Sequence, residues 1–309
     1  MNTTAPRLAC SESPWSTWIE VRGPSRVRFL QGLCSNDVEK LPVGQGCEAF
    51  FPTVQGKVLA HVVVLKHEEA VVLAGLGDQT AALMPHLEKY GMIEDVTIRD
   101  RSRESSAWLL WGENAESWIG QHLEPPPGID LLDHGRAAWD GLELRVFRTP
   151  LFAQAHWELR VTAEASAELA ARLAALEITR QSFEMLEGLR VASGFPRHGV
   201  DISADHLAQE VNRDQQAISF RKGCYLGQET VARIDALGHV NKKLVQVRLG
   251  DDWQGSEFPQ AVVLEGKEIG QITSLCESPG ERLGLAMIRR SHNRVGTRII
   301  SESGSLEVI

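Results

Sequence analysis

The stretch that most constrains the fold is "GKVLAHVVVLKHEEAVVLAG", Gly56 to Gly75. β-Branched residues crowd both halves, and the polar run "KHEEA" parts them. Such side chains suit a pleated, half-buried surface, and a short polar break between two runs reads as a hairpin turn. The chain must therefore build a sheet with antiparallel pairs. "DQTAALMPHLEKYG" follows with helical periodicity and a stop at Gly91, although Pro85 lies inside it. "MIEDVTIRD" then returns as a strand.

The same alternation runs through most of the chain. "STWIEVR" reads as a strand ending near Arg22, after which Gly23 and Pro24 open a helix with Val27, Leu30 and Leu33 on one face. "AWLLWG" precedes a helix at "NAESWIGQHL", and "PPPG" at 125–128 breaks the chain. "LELRVFR" and "HWELRVT" are strands. A helix from about Ala165 to Leu176 is rich in strong helix formers, and "RQSFEMLEGLRVASG" predicts another. After Asn241 short strands and turns take over. The reading is an α+β fold, with two ferredoxin-like lobes interleaved within residues 1–240 and a small β-barrel at 241–309.

Composition narrows the function. The 309 residues hold 32 Lys and Arg against 41 Asp and Glu, a net charge of −9. That balance opposes a broad nucleic-acid or anionic-membrane footprint, so direct nucleic-acid binding is not expected. No run reaches the ~18 apolar residues of a membrane helix, and "MNTTAPRLACSESPWSTWIE" lacks the pattern of a secretory leader. A cytoplasmic protein without a membrane partner is expected. The five cysteines, Cys10, Cys34, Cys47, Cys224 and Cys276, are scattered and form no C-x-x-C, so neither a disulfide framework nor a metal site is predicted. A G-x-G-x-x-G fingerprint and a G-x-x-x-x-G-K-[ST] loop are both absent; "LAGLGDQTAA" offers only one G-x-G.

One segment stands apart. "ISFRKGCYLGQETVAR" brackets Cys224 with Arg221, Lys222 and Arg233. From Asn212 to Arg248 there are seven Lys and Arg but three Asp and Glu, so this region is locally positive. Ile218 and Phe220 flank polar Ser219, which predicts a strand leading into the motif. Gly223 and Gly227 are expected to supply positive φ and close backbone approach in a compact loop. Positive surroundings favour a reactive thiolate at Cys224 and attract an anion. The plainer reading is a small apolar cysteine beside a turn, and spacing leaves both open.

"KGCYLGQE", Lys222 to Glu229, resembles the signature of the YgfZ family of folate-binding proteins. "AISF" before it, "VAR" after it and "GHVNKKL" beyond fit that family, as do "FLQGLCSNDVEKL", "GKVLA", "HWELRV" and "EGLRVASGFPRHGVDI". The resemblance runs over nearly the whole chain and implies the fold of the T-protein, an aminomethyltransferase: three units in a ring around an opening that binds tetrahydrofolate. It also implies an accessory role in iron–sulfur cluster assembly or repair, including enzymes of tRNA modification, with iron–sulfur enzymes or cluster-assembly proteins as partners. Cys224 is then the candidate reactive residue. Lys222, Arg221 or Arg233 would meet folate carboxylates and Tyr225 would form wall for the pterin. Gln228 and Glu229 complete the motif, and Asn36, Asp37 and Glu210 are polar candidates for the cavity; a plain helix-ending turn suits Asn36 and Asp37 equally.

There are also departures. The acidic pair of the superfamily's transferases is replaced by Ala60 and His61, and Ala192 stands in "LRVASG" where a pterin-binding glutamate is expected. Aminomethyl transfer itself is therefore not expected. "LAQEVNRD" lacks the usual proline before its Gln–Glu. The alternative reading is a folate-dependent transferase or oxidoreductase on a small substrate, with Cys224 structural.

Overall fold

The computed structural model describes residues 6–309 apart from 177, 256 and 279. The predicted hairpin is present: strands Val58–Lys66 and Ala70–Gly75 pair antiparallel. They lie in a five-stranded sheet with Gly46–Pro52, Thr17–Arg22 and Thr97–Asp100. Helices Arg26–Gln31 and Thr80–Gly91 cover one face, where Leu30, Leu83 and Leu87 meet Ile19, Val64 and Leu73 without solvent exposure. Pro85 is held within the second helix.

A six-stranded sheet forms the second lobe. In spatial order it contains Thr179–Arg180, Ala9–Glu12, Ser105–Trp111, His156–Thr162, Leu142–Arg148 and His134–Trp139. Its first pair is parallel and the others are antiparallel. Helices Ala115–His122 and Ser166–Ala175 pack on its outer face around Trp118, Trp139, Trp157 and Leu169. The two sheets interleave in sequence. Ala9–Glu12 belongs to the second sheet, and Thr17–Arg22, just beyond it, belongs to the first. Strands Gly46–Pro52 and His134–Trp139 were not distinguished in the sequence. "GCEAFFP" and "HGRAAW" carry a charge inside an apolar run, which blurs alternation.

The uncovered faces of the two sheets pack on each other. Val63, Leu65, Val72 and Ala74 of one meet Leu109, Trp111 and Phe147 of the other, closed by Trp15, Trp18 and Phe195. This shared core makes the two lobes one body.

Beyond Asn241 a third sheet curls into a nearly closed barrel. Its order is Gln260–Leu264, Lys267–Ser278, Glu281–Arg289, Lys242–Leu249, Gly304–Val308 and Arg298–Ser301. Glu302 N–H donates to the Val263 carbonyl at 2.9 Å and links the two ends. Val247, Val262, Ile272, Ala286 and Ile288 fill the interior. Helix Phe183–Ala192 packs against the barrel, and Arg190, fully buried, anchors the join. Its guanidinium reaches Asp201 at 2.7 Å and Ser274 at 3.0 Å, while Thr273 and Ser274 donate to the other Asp201 oxygen at 2.6 Å each.

Candidate functional site

The approach to the motif is not a strand. A 3₁₀ turn at Ala208–Val211 and a short helix at Asp214–Ala217 deliver the chain instead, with Ile218 buried and Phe220 half exposed. Ser219 N–H donates to the Ser35 carbonyl at 2.9 Å, so the segment pairs with a loop and builds no ladder. Alternation over three residues was too short a pattern to separate the two outcomes.

Two glycines were expected to shape the loop, and one does. Gly227 has φ +77° and precedes helix Gln228–Leu237; a Cβ there would lie 2.3 Å from the Thr53 carbonyl. Gly56 faces it across the contact, and its own Cβ would come within 2.7 Å of Thr230. Two backbones thus touch where side chains are excluded. Gly223 corrects the expectation: it is absent from the positive-φ residues, and a Cβ on it would meet open space.

Lys222 is turned inward. Its ammonium donates to the carbonyls of Gln31, Cys34 and Asn36 at 2.7, 2.8 and 2.7 Å, which uses all three of its donors. It also lies 4.0 Å from Cys34 Sγ and 5.0 Å from the Tyr225 ring centroid. Burial pushes this ammonium down from its ordinary range, with Cys34 and Asp37 acting the other way. Burial raises the Cys34 thiol and pushes Tyr225 up to about 12, Cys34 adding to the latter. Leu226 N–H donates to the Gly32 carbonyl at 2.9 Å, and Tyr225 N–H to Gln228 Oε1 at 3.1 Å. The loop is therefore locked onto the end of the first helix.

Asn36 belongs to the same lock. Its amide donates to the carbonyls of Glu48 and Gln216 at 2.8 Å each, joining the first sheet to the segment before the motif. Asp37 accepts from Gln31 at 3.0 Å and pairs with Lys40 at 2.8 Å; burial alone would raise its carboxyl, but Lys40 and Gln31 outweigh that and hold it low. Glu210 lies apart, buried, accepting from Leu207 N–H at 3.0 Å, and burial raises its carboxyl. Cys224, Arg221, Glu229 and Arg233 are exposed, and among the described residues none of them makes a side-chain hydrogen bond or ion pair. The structure thus joins Lys222, Tyr225, Asn36 and Gln228 in one internal network and leaves Cys224 outward.

A second network was missed. Glu48, buried, sits 2.6 Å from Arg213 Nε, pairs through its other oxygen with Arg213 Nη2, and lies 3.1 Å from His61 Nε2. Burial would raise this carboxyl, yet the His61 and Arg213 hydrogen bonds hold it at about 2. Arg213 stands 4.9 Å from the Phe195 ring, and His61 stacks on the same ring at 5.4 Å. Gln79 clamps the His61 backbone, accepting from its N–H and donating to its carbonyl at 2.9 Å each. A lone carboxylate in "CEAFF" was the signal that could have found it: an acid in an apolar strand needs a cation.

Beside Ala192 opens a hollow of about 360 Å³ whose lining includes Arg148, Thr149, Phe152 and Ser193. Ala192 is exposed, and Arg148 Nε is buried with no hydrogen-bond partner among the described residues. Arg148 lies over the Trp157 ring at 5.6 Å, and a guanidinium on the wall of a hollow suits an anionic ligand. Among the described residues no group of three or more His, Cys, Asp or Glu could hold a metal ion, and no helix is long and apolar enough to cross a membrane.

Residues 15–221 match the family described as the GCVT N-terminal domain. A putative chloroplastic transferase of Arabidopsis thaliana is 24% identical over 287 residues, covering 91% of this chain but only 65% of that protein. The mitochondrial iron–sulfur cluster assembly factor IBA57 of Homo sapiens is 26% identical, with 93% of this chain and 79% of that one covered. The tRNA-modifying protein YgfZ of Colwellia psychrerythraea is 26% identical, with 76% and 75% covered. In three dimensions the chain is similar to the glycine cleavage system aminomethyltransferase T of Bartonella henselae, with TM-score 0.84 and 18% identity over 99% of this chain and 86% of that one.

Proposed function

The chain belongs to the GCVT N-terminal domain family, and on that premise we propose that it is a tetrahydrofolate-binding accessory protein supporting iron–sulfur cluster assembly or repair, including enzymes of tRNA modification. The observation that carries this reading is the Cys224 thiol, exposed on a loop whose neighbouring lysine is bound to three carbonyls. A half-buried ammonium, a left-handed glycine and a helix start together fix the backbone that presents one outward sulfur. Thiol chemistry on a partner's cluster or its sulfur needs such access. The names of the human and Colwellia relatives, a cluster assembly factor and a tRNA-modifying protein, point the same way. Cluster enzymes or assembly proteins are the proposed partners and the cytoplasm the proposed compartment.

The hollow beside Ala192 suits the anionic part of folate. Arg148 would meet a carboxylate, and folate would supply one-carbon or electron-transfer chemistry when bound. It fits transfer chemistry less well. Where the superfamily's acids are expected stand Ala60, packed in a core, and His61, bound to a Glu48 already engaged by Arg213. No free carboxylate remains there to steady charge in aminomethyl transfer.

The test is complementation of a strain lacking YgfZ, read by the activity of a radical iron–sulfur enzyme. The wild type should restore activity and Cys224→Ala should not. Full rescue by Cys224→Ala would transfer the case to a second reading, favoured by the hollow: a folate-dependent transferase or oxidoreductase with Cys224 structural. Tetrahydrofolate binding is checked separately by fluorescence titration, with Arg148→Ala expected to weaken it about tenfold, as loss of a charged hydrogen bond does. A flat titration at millimolar ligand would remove folate from both readings.

A further inference from the structure

A different part of the sheet–sheet interface carries a site outside that reading. On strand Thr17–Arg22 the side chains of Trp18, Glu20 and Arg22 face the other sheet, while Ile19 and Val21 enter the opposite core. Thr17 registers with Gly75, and Gly75 with Val62, next to His61. Arg22 is five residues further along, roughly 17 Å at strand rise, so this end of the interface is remote from the Glu48–His61 network. Here the apolar packing gives way to a cleft of about 500 Å³.

Three arginines form a row across its wall. Arg136 registers directly opposite Arg145, and Arg145 directly opposite Arg160, on three adjacent strands. All three line the cleft, joined by Arg22 and Arg101 from the other sheet. Directly opposed like charges destabilise a sheet, and a wholly structural row would alternate sign. Counter-ions within the wall are insufficient. Glu20 is buried, but it holds Arg22 at 2.8 and 3.2 Å and meets Arg145 and Arg101 only at 3.8 Å. Arg160 is taken by Glu158, Ser105 and the Trp15 carbonyl, and stacks 4.2 Å over Trp18. Arg136 has no ion pair among the described residues, and Arg145 has no hydrogen bond among them. Glu104 pairs with Arg101, while Glu124 and Glu143, which also line the cleft, are exposed and make no ion pair among the described residues.

We infer that this cleft binds a small molecule carrying two or more adjacent anionic groups, phosphoryl or carboxylate, across Arg136 and Arg145. Neighbouring positions in the row are about 5 Å apart, so two flexible guanidinium groups can converge on adjacent anionic groups of one small molecule, and each offers a planar fork for an anionic oxygen pair. The volume suits a compact ligand.

The test is isothermal titration of the full chain with pyrophosphate and, separately, with tri-glutamate, at matched ionic strength and with sodium acetate as control. One of the two should bind at least tenfold more tightly than acetate, and which one decides between phosphoryl and carboxylate chemistry. Arg136→Ala, at an exposed position, should weaken that binding tenfold or more, and Arg136→Lys should restore part of it. Arg145→Ala should act likewise, and if it fails to fold the Arg136 pair still decides. Failure of both anions to bind, or undiminished binding by Arg136→Ala, overturns the inference. Neither outcome touches the folate reading, which is tested at Arg148.

Discussion

At the scale of single residues, Glu48 and Cys224 behave oppositely and both can be measured. Glu48 is held at about 2 against an ordinary 4.5, which corresponds to on the order of 3 kcal/mol of stability. Its carboxyl is lower in the folded than in the unfolded chain, so this stability is complete above about pH 4.5 and is lost as the pH falls toward 2. Urea denaturation across that range should show the loss, and Glu48→Gln should be weaker at neutral pH by a similar amount yet flatter with acid. Equal pH slopes for the two proteins would disprove the role. Cys224, exposed, should react with iodoacetamide at least about tenfold faster than Cys34, which is buried and raised by burial. Peptide mass spectrometry gives the two rates directly. The segment around Cys224 stood out in sequence because its motif is short and unusual. Glu48–Arg213 was not, because their partnership spans 165 positions and no local spacing encodes it.

At the scale of elements, strands and helices with strong periodicity were legible: the Val58–Gly75 hairpin, the Ala-rich helix and the barrel strands all follow their side-chain patterns. The loop was legible as a loop, but the direction of its lysine was not, because that depends on where three distant carbonyls converge. Lys222→Ala should leave those acceptors without a partner and cost about 1–3 kcal/mol. Hydrogen exchange should rise across 220–237 more than across the hairpin; uniform protection in the variant would mean that Lys222 does not hold the loop. Gly227→Ala should act at the same joint, since a methyl group there meets the Thr53 carbonyl and the residue needs φ +77°. Loss of helix Gln228–Leu237 protection is the expected sign.

At the scale of the whole molecule, the barrel meets the lobes through an apolar core, where Leu244, Leu285 and Met287 pack with Phe50, Val58 and Val191. It also meets them through the Thr273 and Ser274 hydroxyls, bound to the buried Arg190–Asp201 pair. Asp201→Ala would take the buried carboxylate from Arg190, leaving it only the half-buried Glu187 at 3.0 Å as counter-ion, and would remove the acceptor of Thr273 and Ser274. Losing one partner of a buried pair costs up to about 3–5 kcal/mol. Thermal unfolding should shift well downward, and a shift within error would show that the barrel is held by apolar packing alone. The α+β class and the late all-β unit could be read from pattern, whereas the face-to-face contact of the two sheets could not, since it is made by strands far apart in the chain. Interleaving has a temporal side. Ala9–Glu12 pairs with Ser105–Trp111 and Thr179–Arg180, so on the ribosome those first residues wait roughly 5–20 seconds for the nearer partner to be translated. A nascent chain of this design keeps that strand unpaired while the other lobe is already complete, and that interval is when a chaperone has most to offer it.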